Sequence, residues 1–207
     1  MRFAPASSRW RPGPGHLLRL LFGLCVFGAG EAMLVASGLG NSPWTVLAQG
    51  FARQTGVSVG AATVIVSGLV LLAWVPLRQR PGLGTALNAL LIGVALDATL
   101  AVLPHHASLG TRACMVPAGI ALVAIGSGFY LTTGLGPGPR DGLMTGLHRR
   151  TGLSLRVVRA AIEVAAVVAG YLLGGTVGVG TVAFALLIGP AVQAAVHALG
   201  GRDTARL

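Results

Sequence analysis

Gly38–Ser58, GLGNSPWTVLAQGFARQTGVS, returns 96 residues later as Gly134–Ser154, GLGPGPRDGLMTGLHRRTGLS, with ten of 21 positions identical and no gap. Composition alone would give about two or three matches, so the chain is a duplication. A second block keeps the same offset: Gly82-Leu83-Gly84-Thr85 matches Gly178-Val179-Gly180-Thr181, and Ala89–Gly93 matches Ala185–Gly189.

Long apolar runs lie on either side of these blocks. They cover 17–37, 57–77, 84–103, 112–133, 155–174 and 179–199. Each is close to the roughly 20 helical residues that a bilayer core requires. They are continuous, with no period-2 alternation, which favours helices over a barrel. Three runs fall in each copy, 17–103 and 112–199. Three is odd, so the second copy must enter the membrane from the opposite side. The expected fold is all-α: one polytopic membrane domain over 1–207, with six transmembrane helices as a 3+3 inverted repeat. Residues 1–16 and 200–207 form its tails.

Composition agrees. The 207 residues are 54% hydrophobic and 10% charged, with a mean hydropathy of +0.78. A soluble domain carries about 25% charged residues, so a soluble enzyme and a disordered chain are both excluded. Net charge is +10, and all fifteen basic residues are Arg. They lie between apolar runs without interleaved aromatics, so they read as topology signals and not as a nucleic-acid surface. With the N-terminus cytoplasmic, Arg2, Arg9, Arg11, Arg19, Arg78, Arg80, Arg140, Arg149, Arg150, Arg156, Arg159, Arg202 and Arg206 fall inside, and only Arg53 and Arg112 fall outside. Thirteen against two puts both termini in the cytoplasm of a plasma-membrane protein. Arg2, Arg9 and Arg11 before an apolar run are in the order of a signal peptide. That run is long enough to span, so it reads as a retained first helix. Cys25 and Cys114 fall at different depths in apolar runs and read as small buried hydrophobes.

The duplicated block itself is too short to span. Gly and Pro end the preceding helix, and Ser42-Pro43 or Gly138-Pro139 can start a new one. In the first copy Trp44, Leu47, Ala48 and Phe51 share a face, while Thr45, Gln49 and Arg53 share another. In the second, Asp141, Thr145 and Arg149 take those polar positions. Two readings stay open: an interfacial helix anchored by Trp44, or a re-entrant half-helix whose polar face lines a cavity. Arg140 offers a planar fork of donors for Asp141 or for an anionic ligand group.

Of five acidic residues, Glu31, Asp97 and Glu163 fall inside spans one, three and five. A carboxylate in lipid costs several kcal/mol unless it is paired, neutral or hydrated, so each is a candidate proton or substrate site. Glu31 and Asp97 both fall in the outer halves of their spans, where they could share a cavity. Glu163 has Arg159 one turn away. Across the repeat Asp97 aligns with Gln193, Glu163 with Ser67, Glu31 with Ser127, and Asn88 with Phe184. Charge in one copy only is the pattern of an asymmetric site between pseudo-symmetric halves. The many glycines within the spans read as helix-packing positions. No nucleophile–base motif, Walker loop or CxxC is visible, so the chain reads as a non-enzyme with no cofactor. His105-His106 is a weak metal signal.

Several of these segments resemble the YczE/YyaS/YitT-like family of bacterial integral membrane proteins. The carrying residues are Gly40–Leu47, Thr55–Gly60, Pro81–Thr85 with Asn88, Gly136–Met144, Arg149–Gly152 and Gly189-Pro190. The likeness extends from about residue 20 to 199 and implies a polytopic inner-membrane protein. The functional expectation is a small secondary transporter or exporter working by alternating access on an unknown small molecule. Glu31, Asp97 and Glu163 would handle protons; Arg140, Asp141, Asn88, Thr45 and Trp44 would face substrate. The alternative is a non-transporting accessory protein that binds or regulates another membrane component. The small chain suits a homodimer in the bilayer.

Overall fold

The computed structural model describes residues 8–104 and 108–199. His105-His106, residues 1–7 and the tail 200–207 lie outside the described residues. Eight helices follow in chain order: α1 (Pro14–Ser37), α2 (Pro43–Thr55), α3 (Val59–Trp74), α4 (Leu83–Leu100), α5 (Leu109–Leu131), α6 (Pro139–Thr151), α7 (Leu155–Leu172) and α8 (Val179–Ala198). Each expected run contains one helix, and the duplicated block supplies α2 and α6.

The helices differ in their ability to cross a bilayer. α1, α4, α5 and α8 are long and apolar enough on their own. α3 has only 16 residues. It reaches spanning length jointly with α2, from which it is bent by 112°. α7 has 18 residues but carries Arg156, Arg159 and Glu163. By length and composition the described residues thus hold four spans, or five with the bent pair. This falls short of the six expected, because hydropathy of a run does not fix where a helix starts or which charges it must carry. The chain is a polytopic helical membrane protein.

The two copies pack about a pseudo-two-fold axis. α1 crosses α5 in the most extensive helix contact of the fold, and α1 packs on α4 as α5 packs on α8. Likewise α2 packs on α7 as α6 packs on α3. The α1–α5 crossing is antiparallel and glycine-lined. A Cβ at Gly30 would lie 2.7 Å from the Gly119 carbonyl oxygen, and one at Gly126 would lie 2.5 Å from that of Gly23. Gly23 and Gly30 are the repeat equivalents of Gly119 and Gly126, so one contact is written twice. Where apolar burial gives no drive between helices, such close backbone approach is what holds them. The α4 and α8 N-termini repeat the device: Gly84 N–H donates to Leu135 O at 2.9 Å, and Gly180 N–H to Leu39 O at 2.8 Å.

α2 is enclosed. Pro43, Thr45, Val46, Ala48, Gln49, Gly50 and Ala52 are all buried. Its polar stripe points into the protein. Gln49 Oε1 accepts from Asn41 Nδ2 at 2.9 Å and from the Thr176 N–H at 2.7 Å. Of the two readings left open by the sequence, a helix lying on the surface with its polar side outward does not fit this burial. Irregular backbone at the ends of such a helix is tolerated at membrane depth only where protein or a cavity surrounds it.

Arg53 and Arg112, the two exceptions in the charge pattern, both hold backbone. Arg53 donates to the Gly174 carbonyl and to Thr176 Oγ1, and Arg112 donates to the Ser37 carbonyl at the end of α1.

Candidate functional site

The N-terminal ends of α2 and α6 meet at a cavity near the α1–α5 crossing. It is lined by Phe27 and Glu31 of α1, Trp44 and Thr45 of α2, Thr63, Val66, Ser67 and Val70 of α3, Asn88 and Ile92 of α4, Tyr130 of α5, and Gly138–Asp141 at the start of α6. Both repeats contribute walls. The space open to the centres of water-sized molecules is about 70 Å³, against roughly 10–15 Å³ for one water. It has room for a small molecule of a few heavy atoms.

Glu31 is the most deeply buried charge in it, 2% exposed. Ser42 Oγ and Thr45 Oγ1 both donate to Glu31 Oε2 at 2.8 Å. Ser42 was expected to cap α2. It occupies the N-cap position with extended backbone, yet makes no side-chain cap bond. Its hydroxyl is turned to the carboxylate instead, and Glu31 sits over the helix start where an anion is favoured. Oε1 accepts no hydrogen bond among the described residues, and Glu31 makes no ion pair there.

At the second helix start, Tyr130 Oη donates to Asp141 Oδ2 at 2.6 Å. Arg140 Nε lies 3.9 Å from Asp141 Oδ1, and its guanidinium stands 5.7 Å from the centre of the Phe27 ring. Arg140 and Glu31 are close enough to act on each other electrostatically. Asn88 stands against Gly138, its amide atoms 3.2–3.3 Å from where a Cβ there would lie. Asn88 is 8% exposed and makes no hydrogen bond among the described residues. Trp74 buttresses this end by donating from Nε1 to Pro139 O at 2.9 Å.

The structure thus brings together Glu31, Trp44, Thr45, Asn88, Arg140 and Asp141. It leaves out Asp97 and Glu163. Asp97 does not share the cavity of Glu31: Ser58 Oγ donates to its Oδ2, and the Gly60 N–H donates to its Oδ1 at 2.8 Å. It binds the N-terminus of α3, because a carboxylate facing free amides is held there. Glu163 Oε1 pairs with Arg159 Nε at 3.0 Å on its own helix.

Sequence reasoning missed Phe27 and Tyr130 and read Ser42 only as a cap. Tyr130 left a signal, since its repeat equivalent is Leu34. A hydroxyl in one copy only is the same asymmetry that marked Glu31. Phe27 lies one helical turn before Glu31 and left no signal of its own, being one apolar residue in an apolar run.

These features define a membrane helix bundle with a buried polar cavity between two duplicated halves. A family model described as "Family of unknown function (DUF6198)" matches residues 15–197, and the chain belongs to that family. It is 45% identical over 188 residues to an uncharacterized protein of Haemophilus influenzae, covering 91% of this chain and 86% of that one. It is 32% identical over 182 residues to the uncharacterized membrane protein YczE of Bacillus subtilis, covering 87% and 82%. With the uncharacterized protein YyaS of the same organism, identity is 28% over 166 residues, covering 77% and 81%. These relationships bear out the family resemblance. No solved structure matches the chain.

Proposed function

We propose that this protein is a small secondary carrier of the bacterial plasma membrane, working by alternating access. In this reading it crosses six times as a 3+3 inverted repeat with both termini cytoplasmic, and α2 and α6 are re-entrant half-helices. The observation that carries the reading is the cavity at the α1–α5 crossing. Its walls come from both repeats, and it holds a buried carboxylate with no ion-pair partner among the described residues. A group of that kind inside a bundle is expensive to keep, and its use is to bind a proton or a ligand. Placement between two halves related by a pseudo-two-fold axis lets a rocking motion expose it to either side in turn. α3 and α7 act as spans in this reading despite their shortness and charge: α3 continues from the enclosed α2, and α7 from α6, which is buried at Pro139, Gly142 and Gly146.

The test is reconstitution into vesicles loaded with a pH-sensitive dye. Addition of a transported substrate should move protons, and Glu31→Gln should reduce the movement to background. Absence of flux, with strict co-purification of another membrane component, would overturn the carrier reading in favour of an accessory role.

A further inference from the structure

The ligand class can be read from what lines the cavity. Its fixed charges are two carboxylates, Glu31 and Asp141, and one cation, Arg140. Arg140 lies 3.9 Å from Asp141 and over the Phe27 ring, and it makes no hydrogen bond among the described residues. Asp141 is held on its other oxygen by Tyr130. Glu31 keeps one oxygen saturated by two hydroxyls and the other free of hydrogen bonds. With both carboxylates ionised, two negative charges share one positive charge, Arg140, which acts on Asp141 and Glu31 together.

A second group also waits for a partner. Asn88 is more than nine-tenths buried, lines the same cavity, and has no hydrogen bond among the described residues. Its amide opens on the cavity, where a ligand able to hydrogen-bond with it can reach it. Of the remaining walls, Trp44, Val66, Val70 and Ile92 are apolar, while Thr63 and Ser67 carry hydroxyls.

We infer that the cavity binds a small protonated amine, with its ammonium donating to Glu31 Oε1 and the Asn88 carbonyl and its short carbon body against Trp44 and Ile92. The inference deepens the carrier reading and rests on it for transport, but its binding half stands alone. Charge selects the sign: a carboxylate ligand would meet two carboxylates against one guanidinium. Free acceptors select an N–H donor over a fully alkylated cation. Volume limits the body to a few carbons.

The experiment is thermal unfolding of the full-length protein in detergent micelles, titrated with n-propylammonium chloride. Matched series use sodium propionate, tetramethylammonium chloride and sodium chloride. A saturable rise in Tm with propylammonium alone is expected, since a ligand that binds only the folded state stabilises it by mass action. Glu31→Gln should weaken the apparent affinity at least about tenfold, as loss of a charged hydrogen-bond partner implies. Asn88→Ala should weaken it several-fold, and serves alone if Glu31→Gln does not fold. Asp97→Asn should leave it unchanged.

Stabilisation by propionate instead would overturn the inference and assign the cavity to an anion on Arg140. An equal response to tetramethylammonium would overturn the role of N–H donation. No response to propylammonium, or an undiminished one in the Glu31 and Asn88 variants, would overturn the site. Amine binding without flux in vesicles leaves this site standing and removes the carrier reading. Flux of another substrate without amine binding does the reverse.

Discussion

The helix pairs α3–α4 and α7–α8 are the same pair written twice, yet one is closed and the other is not. α3 packs along α4, whereas α7 and α8 scarcely touch. In the first copy Gly60 lies against the Gly93 carbonyl, and Asp97 of α4 ties down the start of α3 through Ser58 and the Gly60 N–H. In the second copy Arg156 stands where Gly60 stood, and Gln193 where Asp97 stood; both are exposed. Gly189, the equivalent of Gly93, has open space around it. The shared positions encode the backbone path, and the few that depart from the repeat decide which arm closes.

The strongest way to break the contrast is Gly60→Arg, which installs the residue of the second copy in the first. The side chain has no room against Gly93 and Asp97, so the α3–α4 contact must open. Overpacking of this kind costs about 1–3 kcal/mol, and loss of the Asp97 anchor should bring the effect to the upper end. Thermal unfolding in detergent measures it. An unchanged Tm would show that the glycine contact does not hold the arm.

Asp97→Asn is a gentler probe. It keeps the shape and removes the anion from the start of α3, which is worth about 1 kcal/mol. Stability should fall by that amount while vesicle flux persists. Abolished flux at unchanged stability would return Asp97 to the substrate path. Gln193→Ala, at the equivalent exposed position, should change stability by less than about 0.5 kcal/mol.

An effect of opposite sign is expected from the reverse exchange, Arg156→Gly with Gln193→Asp. It gives the second arm the elements of the first clasp, and Ser154 already stands where Ser58 does. A gain of about 0.5–1 kcal/mol is expected. Flux should slow, because an arm that is clasped shut must be unclasped in each cycle. Faster flux would mean that the parted arm is not the one that moves.

Much of the fold was legible in the chain. The gapless offset of 96 revealed the duplication, and Ser42-Pro43 and Gly138-Pro139 marked the starts of both short helices. The candidate site was half legible. Glu31, Asn88, Arg140 and Asp141 stood out because polar groups in apolar surroundings are costly wherever they fall. Asp97 stood out for the same reason, yet its carboxylate meets a helix start. The cost flags a buried charge without saying what meets it.

What the sequence determined by itself is therefore local and periodic: a membrane bundle and its duplication. What only the tertiary structure decided is which side chains share a space. Ser42 leaves its own helix for Glu31, Tyr130 reaches Asp141 from α5, and Asp97 turns away to α3. Hydrophobicity is a property of each segment and can be read along it. A hydrogen bond between residues far apart in the chain depends on how helices cross, and glycines at the crossings set that geometry.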